Sequence, residues 1–148
     1  MKTIVKKINI KNLAISVILA LAAIIFFIVS SALTGVILLL ISGLLLMFGM
    51  TQEVYAPSNK PIRRYTYYFD KEKIQTLEKI LREGPDQHPE PFPFNKYGSG
   101  KLDILITSNK EFISLKLFKF VPHKYEEASD FIEHTGKEAK QLCRFLSV

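Results

Sequence analysis

No charged side chain occurs between residue 13 and residue 50 of this chain, and that absence excludes more than any motif does. Asp, Glu, Lys, Arg and His inside a lipid-facing segment mark proton relays, ion paths and substrate sites. A segment without them forms no selective pathway by itself. Only a pore assembled from many copies, gated by dewetting of an apolar constriction, stays compatible with it. Cysteine is almost missing as well. Cys143 is the single one, so no intramolecular disulfide forms, in keeping with a reducing compartment.

Catalytic patterns are equally scarce. There is no G-x-S-x-G, no H-E-x-x-H and no Cys cluster, and the carboxylates are scattered. His88 has no second His, Cys or Asp pair at ligand spacing, and His123 and His134 stand apart from any nucleophile. Gly98-Ser99-Gly100-Lys101 lacks the spacing of a phosphate-binding loop and precedes a strand instead of a helix. The chain therefore reads as non-enzymatic, with no cofactor and no metal. His123 and His134 read as surface residues, and Cys143 as a small buried hydrophobe on a helix face.

The uncharged stretch is nearly twice the length of about 20 residues that one helix needs to cross a bilayer. It reads as two spans folded back on each other, at 13–29 and 35–50, with a turn over 30–34 where Ser30, Ser31, Thr34 and Gly35 cluster. A secretory signal peptide has a similar basic start, but its apolar region is shorter and no second one follows at once. Residues 1–12 form a basic N-terminus with Lys2, Lys6, Lys7 and Lys11, while Lys60, Arg63 and Arg64 follow the second span. By the positive-inside rule both termini lie in the cytoplasm, and a bacterial inner membrane is the expected location.

Small residues recur along both spans. Ser16, Ala20, Ala23 and Ser30 follow a heptad seam on the first, and Gly35, Ser42 and Gly49 are spaced by seven on the second. Small residues let helices approach closely in lipid. The seams are expected to bury against each other inside the hairpin, with pairing to another copy or protein as the alternative.

The net charge of +6 divides unevenly. Four Lys and no acid lie in residues 1–50, leaving 16 Lys plus Arg against 14 Asp plus Glu beyond. The basicity is thus largely a topology signal, and no basic footprint for nucleic acid emerges. Residues 51–63 read as a juxtamembrane linker broken by Pro57 and Pro61. Within and beside it, Tyr55, Lys60, Arg63 and Arg64 are candidate contacts with the membrane interface.

Residues 64–148 read as a small α+β domain of order β-α-β-β-β-α, an antiparallel sheet with two helices over one face. Arg64–Phe69 has strand character. Asp70 fits an N-cap, and Ile74, Leu77, Ile80 and Leu81 follow at helical spacing up to Gly84-Pro85. Leu102–Thr107 and Phe112–Val121 alternate as a hairpin about Ser108-Asn109-Lys110. Ala128–His134 is expected as the third meander strand. Thr135 with Glu138 is a capping box opening the last helix. The Pro-rich loop between Pro85 and Gly100 carries His88, Phe92, Phe94 and Tyr97 as candidate partner contacts, because a loop that long is usually functional or disordered.

Three functions follow, in order of support. The first is a membrane-anchored adaptor, a small subunit of a larger membrane complex that has a protein partner or forms a homo-oligomer. The second is a sensor-effector whose soluble domain binds a signal while clustered hairpins perturb the bilayer. The third is an enzyme at the lipid surface, resting on His88 alone.

Overall fold

The computed structural model describes residues 3–29, 31–85 and 92–148. The chain divides into two compact units, residues 1–59 and 60–148. Together they form an α+β arrangement: two long apolar helices near the N-terminus, then an antiparallel sheet domain.

In the first unit, strand β1 (Ile4–Ile8) leads into helix α1 (Ile10–Val29), and helix α2 (Ala32–Gly49) leads into strand β2 (Thr51–Tyr55). Both helices are long and apolar enough to cross a membrane. α1 starts earlier than the apolar run because Asn9 caps it, its side-chain oxygen accepting from the Asn12 N–H at 3.3 Å. α2 also starts earlier than the sequence suggests. Ser31 is its N-cap and accepts from the Thr34 N–H, so Gly35, expected as the first residue of the span, already lies inside the helix. There the Phe27 ring packs so closely that a Cβ on Gly35 would sit 2.8 Å from it.

Where a basic N-terminus and the start of a linker were expected, β1 and β2 pair antiparallel, with Ile8 opposite Thr51 and Ile4 opposite Tyr55. The β-branched residues Ile4, Val5 and Val54 suit such pairing. The Asn9 N–H also donates to the Met50 carbonyl at 2.8 Å, so hydrogen bonding runs from the helices into the ribbon without a gap.

In the second unit, β3 (Lys60–Phe69) takes in the end of the expected linker. Pro61 is its second residue, a position where the missing N–H is tolerated. One 3₁₀ turn over Lys71–Lys73 then enters α3 (Ile74–Glu83). Asp70 precedes the turn but makes no side-chain cap; the Lys71 N–H donates to Ser99 Oγ instead. Gly84, at φ 95°, ends α3 in backbone space that a side chain strains.

β4 (Gly100–Thr107) pairs with β3 and with β5 (Phe112–Val121), all antiparallel. Beyond β5 the expected single strand is two. β6 (Lys124–Glu127) pairs with Phe118–Val121, and β7 (Ile132–Thr135) pairs with Phe112–Leu115. Between them Ser129 Oγ accepts the Leu117 N–H at 3.2 Å, so a side chain replaces a rung of the ladder and the strand breaks. α4 (Gly136–Phe145) follows Thr135 at its N-cap, yet the capping box does not form. Glu138 turns to His134 instead.

The core lies on one sheet face. Leu102, Ile104 and Ile106 of β4 stand opposite Leu117, Leu115 and Ile113 of β5. Leu77 and Leu81 of α3 and Ala139, Leu142, Cys143 and Leu146 of α4 belong to the same buried cluster.

Candidate functional site

The helical hairpin keeps its polar contacts inside. Ser16 and Ala23 of α1, and Gly35 and Ser42 of α2, are its buried residues, while Ala20 is half-buried. Ser16 Oγ donates to the Ser42 carbonyl at 3.0 Å, and Ser42 Oγ donates to the Ser16 carbonyl at 2.9 Å. Gly49, the last residue of α2, presents its carbonyl to Asn12 Nδ2 at 3.0 Å. A Cβ on Gly49 would meet that Nδ2 at 2.7 Å. Ser30, the remaining seam candidate, falls outside the described residues. These bonds join the two helices of one chain, so the small residues serve the hairpin's own packing. Its outer surface is apolar side chains, with Ile18, Ile28, Leu33, Leu40 and Met47 each more than half exposed.

Of the candidate interface contacts, Tyr55 ends β2 and is half-buried. Lys60, Arg63 and Arg64 are exposed on β3. The structure therefore puts all four on regular strands. Lys6, Lys7 and Lys11 lie close to the helix starts, and Lys7 Nζ donates to Asn59 Oδ1. Lys2 falls outside the described residues.

The loop candidates separate into two kinds. Phe92 and Phe94 dock on the core, with ring centroids 5.7 Å from Phe69 and 4.9 Å from Tyr67, and 5.1 Å from each other. They are thus spent on holding the loop. Tyr97, by contrast, is 77% exposed. His88 lies outside the described residues. The glycines that resemble a phosphate loop have a packing reason: a Cβ on Gly98 would be 2.3 Å from the Phe69 carbonyl oxygen, and one on Gly100 would be 2.6 Å from the Phe69 ring.

Residues on the sheet face away from the core alternate cations with rings. Lys101 Nζ stands 4.7 Å from the Phe118 centroid and pairs with Asp103 at 2.9 Å. Lys116 Nζ stands 4.3 Å from the Phe131 centroid and pairs with Glu127. Phe120 and Tyr125 meet edge to face at 5.2 Å. Such lysines are stabilised by both carboxylates and ring faces.

His134 is not a free surface residue. Its side chain is 12% exposed. Nε2 lies 2.7 Å from the Leu81 carbonyl and Nδ1 lies 3.0 Å from Glu138 Oε2. Leu81 is in the last turn of α3, where carbonyls lack helical partners, so the ring closes that helix end against β7 and α4. Both ring nitrogens are occupied, which leaves none for a substrate. A cavity of about 260 Å³ beside it is lined by Arg82, Pro85, His134, Glu138 and Gln141 among others. Tyr67 donates its hydroxyl to the Leu146 carbonyl at 2.9 Å. Burial, with a smaller contribution from Tyr65, pushes its phenol above the usual range. Burial also raises the Cys143 thiol, with Lys110 opposing, which keeps it in the unreactive protonated form.

Among the described residues, no group of three or more His, Cys, Asp or Glu is placed to hold a metal ion. No family model matches the chain, and no curated protein or solved structure shows significant similarity to it. Sequence reasoning missed the ribbon residues Asn9 and Asn12 and the His134 clamp. The first two carried a signal in their position at the edge of the apolar run, where Asn is a capping residue.

Proposed function

We propose that this chain is a two-span membrane protein of the bacterial inner membrane, whose second unit is a non-enzymatic interaction module for a larger membrane complex. One observation carries the reading: the hairpin buries its hydroxyl and amide contacts between its helices and turns large apolar side chains outward. In water that surface is a liability, whereas in lipid it is the stable arrangement. Helices of 20 and 18 residues rise about 30 and 27 Å, which suits a hydrocarbon layer of about 30 Å. Both termini then lie on the cytoplasmic side, where Lys6, Lys7 and Lys11 flank the first span.

An adaptor role is supported by the ring and lysine face of the second unit and by the exposed Tyr97. The sensor-effector reading draws on the ribbon. Because Asn9 and Asn12 bond to Met50 and Gly49, a movement of the helices carries β1 and β2 with it. The test is the mass and composition of the particle extracted from native membranes in gentle detergent. A defined hetero-complex is expected. A lone monomer with nothing copurifying would defeat the adaptor, and a homo-oligomer alone would favour the sensor-effector.

A further inference from the structure

We infer that the outer edge of β1 receives an extended strand from a protein partner, one that sets acidic side chains among β-branched ones. This rests on the adaptor reading above and gives the partner a seat on the first unit.

The register decides which backbone groups are already spent. β1 pairs with β2 from Ile4 opposite Tyr55 to Ile8 opposite Thr51. At one end the Ala56 N–H donates to the Thr3 carbonyl, and at the other the Asn9 N–H donates to the Met50 carbonyl, both at 2.8 Å. Antiparallel pairs alternate between bonded and non-bonded. With Thr3 and Asn9 bonded, Val5 and Lys7 also turn their backbone groups towards β2. Ile4, Lys6 and Ile8 therefore aim their N–H and C=O groups out of the sheet edge. Among the described residues β1 has β2 as its one strand neighbour, at the end of the sheet order. Such a row of outward donors and acceptors is the template that strand addition uses.

The side chains select the occupant. Lys6 and Lys7 are exposed, and Ile8 is 54% exposed. Glu53 is the sole acid of residues 1–59, against Lys2, Lys6, Lys7 and Lys11. A second β1 laid antiparallel on this edge in full register opposes Lys6 to Lys6, and like charges opposite each other destabilise a strand pair. Lysine on an edge strand is the ordinary guard against unwanted pairing, so an acidic complement becomes the condition for entry. Lys6 already stands opposite Glu53 on β2. A carboxylate on the incoming strand completes an acid–base–acid row across three strands, while β-branched neighbours meet Ile4 and Ile8.

The probe is a fluorescent, end-capped peptide with Val-Glu-Glu-Val-Val as its core. Antiparallel to β1, it sets its first, third and fifth core residues opposite Ile8, Lys6 and Ile4. It is titrated by fluorescence anisotropy against the full chain in neutral phosphatidylcholine nanodiscs. Binding is expected, and Lys in place of both Glu should weaken it at least about tenfold. N-methyl groups on the first, third or fifth residue remove an N–H that faces β1 and should weaken it about tenfold, whereas on the second or fourth they should change little. In the protein, Lys6→Pro removes an outward N–H and spares the bonds to β2, a position where an edge strand tolerates proline. It should lose the peptide while circular dichroism keeps the helices. Lys6→Glu gives the same reading through charge should the proline disturb the ribbon. No saturable binding, or equal tolerance of N-methylation at all five positions, overturns the inference. A homo-oligomer that Lys6→Pro disperses assigns the edge to a second copy and also overturns it. A native hetero-complex that persists in both Lys6 variants overturns it and leaves the adaptor reading standing, and a lone monomer from native membranes overturns both.

Discussion

The hairpin of residues 10–49 and the domain of residues 60–148 are built by the same rule turned inside out. In the hairpin, Ser16 and Ser42 satisfy each other in the interior while Ile28 and Met47 face outward. In the domain, Leu102, Leu115 and Leu142 fill the interior while Lys, Glu and Tyr face outward. Burial in the domain is driven by removal of apolar area from water, about 25 cal/mol per Å². On the membrane reading proposed above, that force is absent between the hairpin's two helices, where close approach and a few hydrogen bonds must suffice. A substitution that is severe in one unit should therefore be mild in the other.

The largest difference is expected for a core truncation. Leu115→Ala removes a fully buried side chain from the centre of the sheet and should cost the domain roughly 2–5 kcal/mol. Thermal unfolding of the purified chain, followed by far-ultraviolet circular dichroism, should show the sheet melting earlier while the helical signal persists. Equal loss of both signals would show that the two units do not unfold separately. Next comes His134→Ala, which leaves the Leu81 carbonyl without its partner and should cost about 1–3 kcal/mol by denaturant titration. An unchanged midpoint would mean that water replaces the ring at no cost.

Ser16→Ala is the corresponding change in the hairpin. It removes one hydroxyl from the Ser16–Ser42 pair and should cost only about 1 kcal/mol, because interhelical hydrogen bonds in lipid are weak on average. Steric trapping or forced unfolding in bilayers measures it, and a cost equal to that of Leu115→Ala would erase the contrast. The smallest effect concerns alkaline pH. Tyr67 and Cys143 both have acidities weakened by burial, so the folded state holds their protons more tightly than the unfolded one. Their contribution is complete below the ordinary values of 9.0 for the thiol and 10.0 for the phenol, and is lost as pH rises through the folded values. A pH series of melting temperatures should fall above pH 9, less steeply in Tyr67→Phe. An identical slope in that variant would remove Tyr67 as a cause.

The two units also differ in how openly the sequence announces them. The apolar run with its small residues at spacings of seven is a long-range pattern, and a hairpin is the compact way to accommodate it. The ribbon was obscured because Lys6 and Lys7 read as orientation charges while standing on a five-residue strand. In the domain, the alternation of β4 and β5 was legible, since one face of each strand is core. The break between β6 and β7 was not. It depends on Ser129 reaching the Leu117 N–H, a contact between residues twelve apart that no local pattern encodes. Likewise His134 looked exposed because its partner, the Leu81 carbonyl, is 53 residues away. For the candidate site, Phe92 and Phe94 share a composition with Tyr97, and only their contacts with Phe69 and Tyr67 separate loop anchors from an exposed ring.

The most direct test of the account is the sidedness of the hairpin. In a Cys143→Ala chain, Thr34→Cys at the start of α2 and Lys137→Cys on α4 are labelled one at a time in intact cells with a membrane-impermeant maleimide. The account predicts labelling of position 34 from outside and of position 137 only after the membrane is opened. Equal accessibility of both positions, or extraction of the chain from membranes by alkaline carbonate, would contradict it.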